Sequence, residues 1–104
     1  MHPLDEREAA FEARFAHDAN LRFRCEVRQG RIAGLWAAGL LGLDGVAAQD
    51  YARSVAIAGV EAPGGDGVAR RLAVDLGARS DAATIRARLS DAMVEARRQI
   101  LGEA

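Results

Sequence analysis

Few residues in this chain are equipped for chemistry. Two histidines (His2 and His17), one cysteine (Cys25) and three serines (Ser54, Ser80 and Ser90) are the main supply of nucleophiles and neutral bases. No G-x-S-x-G, H-E-x-x-H or G-K-[ST] string is present. A Ser-His-Asp arrangement with helical sense cannot be assembled from these positions. His17 and Cys25 stand eight residues apart and on different helical faces, which makes a poor metal pair. Cys25 reads as a small buried hydrophobe that has no partner for an internal disulfide. Gly64-Gly65-Asp66-Gly67 precedes a helical stretch, where backbone N–H groups can receive an anion. It lacks the Lys and hydroxyl of a phosphate loop and reads as a flexible loop with a cap. His17 titrates near neutral pH if unperturbed, so it is a candidate pH-sensitive contact. No enzyme follows from this inventory.

The chain that positions these residues is one domain in size, 104 residues, with 50% hydrophobic and 28% charged residues. Its 14 basic residues are all Arg and face 15 acidic ones, for a net charge of −1. This balance argues against a nucleic-acid binder, as does the lack of interleaved aromatic and basic residues. Alanine contributes 23 residues and β-branched residues are sparse, a composition that favours helix over sheet. The longest apolar run, Ile32 to Leu43, has 12 residues. A membrane span needs about 20, so we expect a buried helical segment and no membrane insertion. The N-terminus carries no apolar signal core, and the expected location is cytoplasmic.

The breakers divide the chain into four helices, an all-α fold. The first is expected from Pro3 to about Leu41, ending at Gly42-Leu43-Asp44-Gly45. The second spans about Gly45 to Ala58, capped by Asp44, and Gly59 with Ala62-Pro63-Gly64-Gly65 forms a loop. The third runs from about Gly67 to Leu76, capped by Asp66 and stopped at Gly77. The fourth runs from Asp81 to Leu101, capped by Ser80. Core stripes follow the helical period: Ala47, Tyr51, Val55 and Ala58; then Val68, Leu72 and Leu76; then Ala82, Ile85, Leu89, Met93, Ala96 and Ile100.

The first helix breaks the pattern. Leu21, Cys25, Ile32 and Trp36 share a face, which toward the N-terminus becomes Asp18, Arg14 and Arg7. Leu4, Phe11 and Phe15 occupy another stripe, rotated by roughly 75°. Residues 1–19 are therefore expected to project from a four-helix domain of residues 20–104 as an amphipathic segment. It would be held by sign-alternating residues Arg14, Asp18, Arg22 and Glu26 and would suit a groove on a partner.

Several strings match a known pattern: Phe11-Glu-Ala-Arg-Phe-Ala-His-Asp18, Gly34-Leu-Trp-Ala-Ala38, Asp50-Tyr-Ala-Arg-Ser-Val55 and Ile85-Arg-Ala-Arg-Leu89. Together they resemble the ζ subunit of alphaproteobacterial F-type ATP synthases, over nearly the whole chain. The resemblance implies a non-enzymatic four-helix inhibitor whose partner is the catalytic head, its α, β and γ subunits. It implies that the N-terminal segment enters a closing catalytic interface as a helix and blocks the rotation that drives ATP hydrolysis. Its role there is similar to that of the mitochondrial inhibitor protein. Carried onto this sequence, the inhibitory residues are Leu4, Asp5, Glu6, Arg7, Phe11, Arg14 and Phe15. The resemblance also places the protein at the inner membrane through the enzyme, as a monomer when free. It brings weak adenine-nucleotide binding, for which no residues stand out, and no resident cofactor. Gly39 stands where the family tends to be acidic. The competing readings are a helical adenine-nucleotide module and a homodimer joined through Phe11 and Phe15.

Overall fold

The computed structural model describes residues 18–62 and 66–103. Four helices follow one another: α1 (Ala19–Leu40), α2 (Gly45–Glu61), α3 (Asp66–Leu76) and α4 (Ala82–Glu103), with a 3₁₀ turn at Gly77–Arg79. The all-α expectation holds. Helix α1 packs along both α2 and α4, and α3 closes the core against α2 and α4.

The start of α1 differs from the expectation of a helix unbroken from Pro3. Asp18 is extended (φ −101°, ψ 95°), and its carboxylate accepts the Leu21 N–H at 3.0 Å. An N-cap of this kind satisfies a backbone donor that the first turn leaves orphaned. The stop was expected: Gly42 takes φ 76°, a left-handed conformation that a side chain would strain.

The core face of α1 also differs. Only Cys25 of the expected stripe is fully buried, while Leu21, Ile32 and Trp36 are half-buried at its edge. The buried face consists of Gly30, Ala33, Gly34, Ala37 and Ala38. These small residues bring α2 close. A Cβ on Gly30 would lie 2.9 Å from the Ala56 Cα, and one on Gly34 would lie 2.8 Å from the Ala52 Cα. The α2 face therefore turns on Ala52, Val55 and Ala56, and Ala47, expected in the stripe, is exposed. Gly59 does not end α2, which continues to Glu61. A Cβ there would lie 2.8 Å from Val68 Cγ2, so that glycine lets α3 approach.

Helices α3 and α4 follow the large-residue periodicity. Val68, Leu72 and Leu76 are buried, as are Ile85, Leu89, Ala92, Ala96 and Ile100. Met93 is half-buried and Ala82 is exposed. The caps depart from expectation. Asp44 occupies the N-cap of α2 without a side-chain bond. Asp66 is the first residue of α3 rather than its cap. Asp81, not Ser80, caps α4 by accepting the Thr84 N–H at 2.8 Å.

Gly39 provides a clean test of helix propensity. It is exposed in the last turn of α1, and a Cβ there would meet no atom within 4 Å. Gly39→Ala is expected to raise the unfolding free energy by about 0.5–1 kcal/mol. Urea titration of the pair measures it, and a loss of stability would contradict the open site.

Candidate functional site

The candidate inhibitory residues Leu4, Asp5, Glu6, Arg7, Phe11, Arg14 and Phe15, and His17 with them, lie outside the described residues, as does the projection expected of that segment. The structure does describe the place where the segment joins the domain. There α1 runs antiparallel to α4 and is tied to its last turn. Arg24 donates to a Glu103 oxygen at 2.9 Å, and Arg28 donates to the other oxygen of the same carboxylate. Beneath this clamp, Cys25 and Ile100 are buried against Leu21 and Met93. The bonds from Arg28 and Arg24 hold the Glu103 carboxyl below its usual range. Such exposed pairs are individually weak. Their interest is positional, because they fix the direction of α1 where the N-terminal segment begins.

Burial pushes the Cys25 thiol up, which keeps it protonated and unreactive. Ser54 donates to the Tyr51 carbonyl at 2.7 Å and accepts from Arg71 at 2.9 Å. Arg71 also donates to Asp75 at 2.6 Å, and the Tyr51 hydroxyl donates to the same carboxylate oxygen at 2.8 Å. Arg71 lies 5.4 Å from the Tyr51 ring centre. Desolvation and the Asp75 bond push the Tyr51 phenol up. This network joins α2 to α3 with its polar groups satisfied, the mark of a structural tie. Arg88 similarly covers Trp36 at 5.6 Å, linking α4 to α1. The ties between helices did not stand out in the sequence, because their partners are distant in the chain; only Arg71 and Asp75, four apart in α3, carry a local signal.

Among the described residues no group of three His, Cys, Asp or Glu side chains is placed to hold a metal ion. The Gly-rich stretch before α3 offers little to an anion. A Cβ on Gly67 would lie 2.6 Å from the Ala58 carbonyl oxygen, so this glycine serves packing. Asp66 already places a negative charge in the first turn of α3, where an anion would sit. No described helix is long and apolar enough to cross a membrane.

The outer surface of α4 carries titratable ties of a defined sign. Bonds from Arg98 and Gln99 hold the Glu95 carboxyl down at about 2, and the Thr84 N–H holds Asp81 below its ordinary value. A carboxyl lowered in the folded state binds fewer protons there than in the unfolded chain. Its contribution is present above the unfolded value of 4.5 and is lost as pH falls toward about 2. Urea midpoints should therefore drop across that interval. Glu95→Gln is expected to flatten the drop without changing the midpoint slope elsewhere.

These observations define a small helical domain that ties down the root of an N-terminal segment and assembles no nucleophile with a base among its described residues. The chain belongs to the family described as ATPase inhibitor subunit zeta, which it matches over residues 1–99. It is also similar to a protein whose structure was solved by solution NMR. The two are 33% identical, the likeness covers 81% of this chain and 99% of that one, and the TM-score is 0.73. No curated protein sequence matches. The family description connects the chain with an ATPase as an inhibitor subunit.

Proposed function

We infer that this protein is a non-enzymatic subunit that inhibits ATP hydrolysis by the F-type ATP synthase. Residues 1–19 act as the inhibitory segment, and the four-helix domain holds them at the catalytic head. Leu4, Phe11 and Phe15 form the apolar side of a helix that enters a closing interface between α and β subunits near γ. Asp5, Glu6, Arg7 and Arg14 make its polar contacts. The wedge stops rotation sterically and needs no chemistry of its own. The observation that carries this reading is the cap at Asp18. Helix α1 is terminated there on its own account, and α1–α4 close a core from Cys25 to Ile100 behind it. Burying two Phe side chains in a partner contributes roughly 1.5–3 kcal/mol each. That is enough only if extension of α1 offsets part of the ordering cost of roughly 1–2 kcal/mol per residue. Growth from an existing helix end avoids a new nucleation step, although it must first release the Asp18 cap.

The test adds the full chain to inhibitor-depleted enzyme and measures ATP hydrolysis. Inhibition is expected. Phe11→Asp with Phe15→Asp in the full chain should abolish it while the melting temperature stays nearly constant. Hydrolysis unaffected by the wild-type chain overturns the reading, and so does inhibition that survives both substitutions.

A further inference from the structure

Helices α3 and α4 leave one side of the α1–α2 pair uncovered. The Gly30–Ala56 and Gly34–Ala52 contacts set the two helices in an antiparallel register that brings Val60 close to the level of Val27. The α1 stripe of Gly34, Gly30 and Val27 then runs on to Phe23, past Glu61, the last residue of α2. Helix α2 adds Arg53, Ile57 and Val60 along one exposed edge, at spacings of four and three. Phe23 is 48% exposed, Ile57 51% and Val60 46%. Single exposed apolar residues are ordinary, but these three gather at the end of the pair from which α1 begins. A shallow groove on the α1 half is lined by Phe23, Arg24, Val27, Arg28 and Arg31.

Charge frames this apolar end. Arg24 and Arg28 border it and already share Glu103. The Arg31 guanidinium donates to Gln49 at 3.0 Å. Among the described residues, neither Arg31 nor Arg53 has a carboxylate partner. The acidic residues of α2, Asp50 and Glu61, fall at the outer margin by helical periodicity.

We propose that the α1–α2 side is the surface by which the domain docks on the catalytic head, against an acidic surface with an apolar centre on its α or β subunits. The head as partner rests on the inhibitory reading; the acidic and apolar chemistry rests on the face alone. Charge complementarity is the first ground. Arginines without a carboxylate stand beside exposed Phe and Ile, residue types that suit the core and the steering of an interface with an acidic partner. Position is the second. Phe23 lies five residues from Asp18, about 7.5 Å along the helix. A segment that leaves Asp18 for the head brings this end of the domain against it, and not the opposite end at Gly42 and Gly77. A second copy fits worse, since it would set arginines against arginines.

Photo-cross-linking with the full chain and the inhibitor-depleted enzyme tests the surface. A p-benzoylphenylalanine in place of Ile57 is expected to join an α or β subunit at a peptide rich in Asp and Glu. The same group in place of Val74 or Val94, exposed on α3 and α4, should not. Cross-links only to a second copy of this chain overturn the proposal, and so do equal yields from all three positions or no product from Ile57. Co-sedimentation of the full chain with phosphatidylglycerol vesicles, lost in Ile57→Asp, would give the face to a lipid surface and overturn it as well. In the hydrolysis assay, Arg31→Glu with Arg53→Glu should raise the concentration for half inhibition about tenfold at low salt, and the difference should shrink as salt is added. Ile57→Asp should raise it by a similar factor at any salt, while Val74→Asp and Val94→Asp leave it unchanged. Potency equal to wild type in both face variants overturns the docking surface and leaves the inhibitory reading standing. A wild-type chain that cross-links from Ile57 to the head without inhibiting it supports the surface and removes the inhibitory reading alone.

Discussion

Leu72→Ala is expected to lower the unfolding free energy by about 3 kcal/mol, at the lower-middle of the range for emptying a buried leucine site. Leu72 is fully buried and is among the largest side chains that are. It shares a core with Ala33, Ala37, Val55, Leu76, Ile85 and Leu89, so the vacated volume borders three other helices. Two of those neighbours, Ala33 and Ala37, are alanines, too short to collapse into the space. Helix α3 has only 11 residues. A helix that short is marginal alone and draws its stability from packing. For a domain this size, total stability is roughly 5–10 kcal/mol, so the substitution should remove a third or more of it. Urea unfolding measures the change. A loss below about 1 kcal/mol would mean that α3 does not rest on this core.

Gly34→Leu should cost a similar amount, about 3 kcal/mol, by the opposite route of overpacking. The first atom of any side chain there would lie 2.8 Å from the Ala52 Cα and 3.2 Å from the Val55 Cβ. The nearest of these is backbone and cannot rotate aside, so α1 and α2 must separate. Intrinsic propensity pulls the other way, since Leu is favoured over Gly in a helix interior by nearly 1 kcal/mol. The sign of the measured effect therefore decides which force rules the position. Stabilisation, as expected at Gly39 in the same helix, would show that α1 and α2 do not meet at Gly34.

The two substitutions also mark what could be read from the sequence. Helices α3 and α4 were legible because their buried residues are large: Val68, Leu72 and Leu76, then Ile85, Leu89 and Ile100, recur at helical spacing. In α1 the same reasoning followed Leu21, Ile32 and Trp36 and arrived at the edge of the core. The tight crossing with α2 is made by Gly30, Gly34, Ala33 and Ala37, residues that hydrophobicity hardly weighs. The spacing of Gly30 and Gly34, four apart, was the available signal. Gly59 misled for a related reason, being a contact point rather than a breaker. Ser80 and Asp81 are adjacent competent caps, and composition alone does not choose between them. The change of stripe before Leu21 was read within one unbroken helix, whereas α1 starts behind a cap at Asp18. The inhibitory residues came from the resemblance of the N-terminal string, since helical spacing alone names no partner.

The clamp on Glu103 has a bearing on how the molecule is handled. Because both Arg24 and Arg28 donate to that carboxylate, the last helical turn braces the first turns of α1. The first turns of the first described helix and the last turn of the final one are next-door neighbours in space. Trimming the tail, or welding a bulky fusion onto it, would loosen the mooring that braces the start of α1.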